Sequence, residues 1–220
     1  MADSVAIEFA GETLHLLPDR ALHWPAQRAL LVADLHLGKG DIFRDAGLAV
    51  PSGGTQHDLK RLDRLLYTHA PKSLYVLGDV LHGDDRGAQW RAQWQSWREA
   101  HLALRIVAIA GNHDQRLSTA GLDLELAGTQ LALGPLLLSH EPAAGNGVIC
   151  GHLHPVVRLP RVPGRQPAFV QSPAQLILPA FSRFTGGHEW TTNPDQQLFV
   201  CTGDQVIALP PGMPRPRALR

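Results

Sequence analysis

Cysteine is nearly missing from this chain: only Cys150 and Cys201 occur. Two thiols cannot build a disulfide framework, and they suit a reducing cytoplasm. No apolar run approaches the ~20 residues a membrane helix needs; Ala29-Leu30-Leu31-Val32-Ala33 is typical. The N-terminus carries Asp3 and Glu8 and lacks the basic-then-apolar layout of a secretory signal. The expected location is therefore cytoplasmic, with no membrane partner. An excess of one charge is lacking too. Twenty Lys and Arg balance twenty Asp and Glu, with a pI near 7.2. That excludes a broadly basic, non-specific nucleic-acid binder. Wholesale disorder is also excluded, because 44% apolar and 18% charged residues are ordinary for a globular chain. The 220 residues suit one domain over 1–209, and 210–220 read as a Pro/Arg-rich tail. A chain of this length buries about 70% of its unfolded surface and needs no covalent staple.

Histidine, by contrast, is plentiful: twelve residues, a first hint of metal. Charge is also unevenly spread. From Pro142 to His188 there is no acidic residue, yet Arg158, Arg161, Arg165 and Arg183 occur, so one face is expected to be locally cationic.

Along the chain, residues 5–17 alternate around Gly11 and read as a hairpin. Residues 29–33 form a buried strand ending at Asp34, and 38–54, polar and rich in Gly and Pro, read as a long loop. Leu59, Leu62, Leu65 and Leu66 predict a helix over 55–69 with Thr55 as its N-cap. A strand over 73–77 closes on Gly78-Asp79. A helix over 89–104 carries Trp90, Trp94, Trp97 and His101 as one core-facing stripe. A strand over 106–110 runs into Gly111-Asn112-His113-Asp114. Helices then cease, and strands are predicted at 122–126, 130–133, 136–139, 148–150, 168–171, 176–178, 198–201 and 205–209. The fold class is α/β, with a strand-rich second half forming another sheet packed on the first.

Five strands end in one kind of residue. They give Asp34-Leu35-His36, Gly78-Asp79, Gly111-Asn112-His113-Asp114, His140-Glu141 and Gly151-His152-Leu153-His154. Charged side chains cannot sit inside apolar strands, so they must gather at the sheet's end. Carboxylate, amide oxygen and imidazole are ligands for Mn, Fe or Zn. Two such ions, about 3.5–4 Å apart, clamp a phosphoryl group.

These blocks, in this order, resemble the calcineurin-like metallophosphoesterase superfamily, whose fold is a sandwich of two mixed β-sheets flanked by helices. The resemblance implies that Asp34, His36, Asp79 and His154 hold one divalent ion, probed best as Mn²⁺. Asp79, Asn112, His140 and His152 would hold the second, with Asp79 bridging. A water or hydroxide shared by the metals would attack phosphorus. His113 would contact the phosphate or protonate the leaving oxygen, and Asp114 would orient His113. Where many members read G-D-x-x-D-R, this chain reads Gly78-Asp79-Val80-Leu81-His82-Gly83. That departure argues against the substrates of protein phosphatases and leaves His82 to support the ligands from behind.

A narrower likeness is to bacterial ligase-associated DNA damage response endonucleases. It rests on Ala33 to Lys39, Phe43-Arg44, Ala46-Gly47, Gly78 to His82 and Ser139 to Pro142. Leu178 to Phe181 and Phe184 to Gly187 lie outside the metal blocks and complete it. The likeness implies a DNA substrate, with DNA ligase and helicase as partners. Lys39, Arg44, Arg183 and the Thr185 hydroxyl would then contact phosphates. Phe43, Phe181 and Phe184 would stack on bases. Cys150 reads as packing. A small-molecule phosphodiesterase or phosphatase, acting on a nucleotide, cyclic nucleotide or phosphoprotein, is the alternative, and a non-catalytic scaffold is a third. Apolar surface on the tryptophan helix and the strand-rich tail makes a homodimer an option.

Overall fold

The computed structural model describes residues 3–82, 88–191 and 193–210. Gly83 and nearly all of the expected C-terminal tail lie outside them. The first sheet has seven strands in chain order. They are β1 (Val5–Phe9), β2 (Glu12–Leu17), β3 (Ala21–Trp24), β4 (Ala29–Ala33), β5 (Ser73–Leu77), β6 (Arg105–Ile109) and β7 (Glu125–Leu126). β1 to β4 pair antiparallel, and β4 to β7 pair parallel. Three helices fall among them: α1 (Lys39–Asp45), α2 (Gly54–His69) and α3 (Ala88–Ala100). The parallel strands read as continuous apolar runs because both faces are covered; every residue of β4 is buried.

The second sheet is mixed and has nine strands. These are β8 (Gln130–Leu133), β9 (Leu136–Ser139), β10 (Val148–Cys150), β11 (Pro155–Val157), β12 (Gln166–Gln171), β13 (Gln175–Ile177), β14 (His188–Glu189), β15 (Gln197–Cys201) and β16 (Val206–Ala208). Strand alternation sorts its side chains. Ile149, Phe169, Leu176 and Phe199 face the first sheet and meet Leu14, Leu22, Leu31 and Val107 there. Val148, Cys150, Val170 and Val200 face outward, where Leu153, Leu159, Trp190 and Leu209 pack against them. No helix covers that outer face among the described residues. On the other side, Leu59, Leu62 and Leu65 of α2 and Trp90, Trp94 and Trp97 of α3 pack on the first sheet. The tryptophan stripe is therefore core, as its spacing predicts, and offers no pairing surface.

Several expected boundaries move. The segment expected as loop over 38–54 contains α1. Thr55 does not cap α2; Gly53 precedes the helix in a left-handed conformation, and the Thr55 hydroxyl instead accepts the Gly38 amide at 3.3 Å. α3 ends at Ala100 rather than residue 104. The strand expected over 122–126 keeps only Glu125–Leu126. β3, β11 and β14 are two to four residues long, too short to signal by periodicity. No helix among the described residues is long and apolar enough to cross a membrane.

Three histidines gather at the first sheet, two on β2 and β3 and one at the end of α2. His15 and His23 face each other across β2 and β3, and the His69 ring lies 4.6 Å from that of His23. Burial, then the neighbouring His69 and His15, push His23 down to about 4 from its ordinary 6.5. Between those pH values the unfolded chain binds a proton that the folded chain refuses. His23 therefore favours the fold above pH 6.5, and this contribution is lost progressively down to about pH 4. Thermal melts of the metal-free protein should lose Tm over that window, and His23→Gln should flatten the loss. An equally steep decline in the variant would remove His23 from the cause.

Candidate metal centre

Parallel pairing brings β4, β5 and β6 to a common edge, so Asp34, Asp79 and Asn112 leave the sheet side by side. β9 and β10, also parallel, deliver His140 and Gly151-His152 from the second sheet. The pairing outlasts the strands. Asp34 donates its amide to Gly78 O (3.2 Å), His36 to Asp79 O (2.8 Å) and Leu37 to Val80 O (2.8 Å). These bonds hold an uncommon backbone. Asp34, His36, Asp79, His152 and His154 all have positive φ, between 45° and 65°. Non-glycine residues pay for this left-handed region in steric energy, and it persists only where surroundings enforce it. Here it turns each side chain inward at a strand end.

Glycine next to these residues has a spatial reason. A Cβ at Gly78 would fall 2.2 Å from His140 Nδ1, and one at Gly151 would fall 2.6 Å from Ala33 Cβ and 2.9 Å from Asp34 Oδ2. Any larger residue would separate the two sheets where the ligand types meet.

Asp34, Asp79, His36 and His140 are all at most 3% exposed. Asp79 turns one oxygen to each side: Oδ2 lies 3.7 Å from His36 Nε2 and Oδ1 lies 3.5 Å from His140 Nε2. Asp34 Oδ1 is 3.2 Å from His154 Nε2 and 3.8 Å from His140 Nδ1. Ligand atoms of Asp34, His36 and His154, and of Asp34, Asp79 and His140, converge closely enough to hold an ion. His152 Nδ1 and Asn112 Oδ1 each lie 3.0 Å from His140 Nε2.

The donor chemistry fits a cation. His140 Nδ1 lies 3.0 Å from the Leu77 carbonyl, which can only accept. In the neutral ring that bond places the proton on Nδ1 and leaves a lone pair on Nε2, pointed at the Asn112 and Asp79 oxygens. His36 Nε2 and His154 Nε2 are buried with no hydrogen-bond partner. Burial, then Lys39, lower His36 to about 2, so its ring stays neutral and able to ligate. Lone pairs gathered out of water repel one another unless a cation lies between them.

Around this centre the expected residues separate into groups. The His113 amide donates to Asp79 Oδ1 at 3.0 Å, and its ring, 41% exposed, keeps Nε2 4.0 Å from Asp79 Oδ2 at the rim of the centre. His82 Nδ1 lies 3.2 Å from His36 Nδ1, and its ring is 5.0 Å from that of His113. Lys39 sits close enough for Asp79 and Asp34 to act on its charge. Arg183 and Thr185 line a cavity beside His154. Phe43 lies 6.0 Å from the His82 ring.

Other assignments need correction. Asp114 does not orient His113. Its carboxylate accepts the amides of Leu81 (2.9 Å), Gly111 (2.9 Å) and Val80 (3.2 Å), which ties together the loops after β5 and β6. Burial raises its pKa despite those three bonds. Phe181 is fully buried, so it presents no face for a base. Phe184 packs against the start of α2, where a Cβ on Gly54 would meet its ring at 2.2 Å. Arg44 pairs with Asp41 and donates to Pro51 O at 3.0 Å, so its fork is already engaged within α1 and the following loop.

The sequence reading missed Arg61. It is 1% exposed, lies 4.1 Å from the Phe181 ring centre, and donates to Phe181 O at 2.7 Å and Asp58 at 3.0 Å. A third bond runs to Asp19 Oδ1 at 3.2 Å. The segment it holds also pairs with β4, through Phe181 N to Ala33 O (2.8 Å) and Ser182 N to Asp34 O (3.3 Å). One signal was available: Asp58 precedes Leu62 and Leu65 by four and seven residues, a charge on the apolar face of α2.

The family model for calcineurin-like phosphoesterase matches residues 27–152, which include all but one of the candidate ligands. Among solved structures, the crystal structure of the Pseudomonas putida nuclease MPE is similar over 94% of this chain and 100% of that one, at 40% identity and a TM-score of 0.80. Yfce, a phosphoesterase from E. coli, matches over 82% of this chain and 97% of its own, at 16% identity and a TM-score of 0.45. The search of curated proteins finds no match. A family match over more than half the chain, joined to a 40%-identical relative along nearly all of it, places the protein in the calcineurin-like phosphoesterases, as a metal-dependent hydrolase of phosphoric esters.

Proposed function

We propose that the protein is a two-metal phosphodiesterase that cuts DNA, of the ligase-associated DNA damage response type. In this reading it works in the cytoplasm alongside a DNA ligase and a helicase. The observation that carries the reading is the full-length likeness to a nuclease. Asp34, His36, Asp79 and His154 would hold one ion, and Asp79, Asn112, His140 and His152 the other. The two-sided approach of Asp79 to His36 and His140 supports its place as the bridge. Mn²⁺ suits this mixed oxygen and nitrogen set, with Fe or Zn as alternatives. When bound, the metal pair supplies Lewis acidity: it activates water and neutralises charge on the phosphoryl oxygens.

The chain's own residues do the rest. His82 fixes the far side of the His36 ring. Lys39 adds positive charge near the carboxylates. His113, with its amide anchored on Asp79 and its half-exposed ring at the rim of the centre, hands a proton to the leaving oxygen. His113→Ala should keep its metal content while losing about 10²–10⁴ in rate. Metal lost along with activity would instead make His113 a ligand.

The test of the whole reading compares a bis-aryl phosphate, an aryl monophosphate and DNA in Mn²⁺. The diester should be cut faster than the monoester, and DNA nicking should weaken as salt rises. Dominant monoester turnover with intact DNA would favour the small-molecule phosphatase.

A further inference from the structure

The candidate centre opens on two unlike cavities. One, of about 450 Å³, is lined by Asn112, Thr129, Gln130, His140, Glu141 and Pro142 and has no cationic side chain. The other, of about 140 Å³, is lined by His154, Arg20, Arg165, Arg183, Thr185 and Gly187, among others. Its three arginines come from far apart in the chain: the turn after β2, the loop before β12 and the segment after β13. Among the described residues no carboxylate lines this cavity.

Three guanidinium groups around one small space repel each other. Arg20 is held down at about 10 by burial first and by Arg61 outside the cavity, with a smaller push from Arg183 inside it. Asp58 is near enough to act on Arg20 but is committed to Arg61. Among the described residues, the Arg20 side chain donates long bonds to Ala180 O (3.4 Å) and Ser182 O (3.3 Å), and Arg165 donates to Gly187 O (2.9 Å). Each guanidinium has five N–H donors, so most of this capacity is unused by those bonds. An anion placed among them would relieve the repulsion and take charge-assisted hydrogen bonds.

We infer that this cavity is a subsite for the phosphate flanking the scissile one, on the His154 side of the centre. The inference rests on the nuclease reading and deepens it. The flanking phosphate enters the arginine cavity, and the opposite side, with Glu141 and no cation, takes the less charged sugar and base. A bis-aryl phosphate has no second phosphate and cannot use the subsite.

The experiment uses the Mn²⁺-loaded full chain and Arg165→Gln/Arg183→Gln, whose side chains lie at the surface. Both proteins are assayed on a bis-aryl phosphate and on a single-stranded oligodeoxynucleotide over a salt series. In the double variant, the ratio of oligonucleotide to diester kcat/KM should fall by roughly tenfold or more. The slope of log kcat/KM against log salt should become shallower by roughly 1–2. Labelled oligonucleotide binding in chelator, read by anisotropy, should weaken in parallel. If the parent cuts the oligonucleotide and the variant shows the same ratio and slope, the subsite is overturned and the nuclease reading stands. Equal losses on both substrates would also overturn it, making the arginines supports of the centre. A parent that cuts the diester and leaves DNA intact would overturn the nuclease reading, and the subsite with it. Should the double variant melt early, Arg165→Gln alone is read by the same ratio and slope.

Discussion

Asp79→Asn is expected to lower turnover by roughly 10³-fold or more, since metal Lewis acidity contributes several kcal/mol to such reactions. Elemental analysis should find two divalent ions per chain in the parent and a loss from both positions in the variant. The reason is geometric. Asp79 faces His36 with one oxygen and His140 with the other, so one neutralised carboxylate weakens two sets of ligands. An amide keeps nearly the same shape but has one oxygen and no charge. The fold should survive, because its core is the apolar layer between the sheets and the one beneath the helices. Near-normal rates in Asp79→Asn, or a parent with one ion and full activity, would refute the assignment. Asp34 also approaches two histidines, His154 and His140. The same measurements on Asp34→Asn therefore decide which carboxylate couples the positions.

Arg61→Met should cost stability, by about 3–5 kcal/mol. The loss arises from what remains behind. Asp58 is 3% exposed, and burial already raises its pKa more than Arg61 lowers it. Without Arg61 it is a buried carboxyl without its cation, and Phe181 O loses its donor. At this chain length the Tm should fall by roughly 6–20 °C. Asp58→Leu/Arg61→Met should recover much of that fall, because removing both charges also removes the desolvation they required. A single variant that melts within a degree or two of the parent would show that the pair is not what anchors the segment. The single variant should also slow DNA cutting more than its stability implies. Arg61 holds the backbone between β13 and the Thr185 turn, and Arg183 projects from that same segment.

Much of this was legible in the order of residues. Continuous apolar runs at Ala29–Ala33 and Ser73–Leu77 mark strands buried on both faces, and both appear with those bounds. Asp34, Gly78-Asp79 and Asn112 directly follow such runs, so their meeting at a sheet edge follows from parallel pairing. Local rules failed where the decisive partner is remote. Thr55 looks like an N-cap, yet its hydroxyl serves Gly38 across the gap to α1. Asp114 looks like a partner for His113, its neighbour, but three amides brought close by loop packing compete for its carboxylate and win. Phe181 looks like an exposed loop aromatic until Arg61, 120 residues away, covers it. The acid-free run of arginines announces positive charge without saying where it goes. Arg158 lies opposite Glu189 at 3.6 Å, while Arg165 and Arg183 converge with Arg20 on one cavity. Strand periodicity and ligand type are properties of neighbouring residues, so the sequence by itself determined the longer strands and the kind of residues gathered at their ends. Which charges are neutralised and which stay open to an anion depends on long-range distances, and only the tertiary structure decided those.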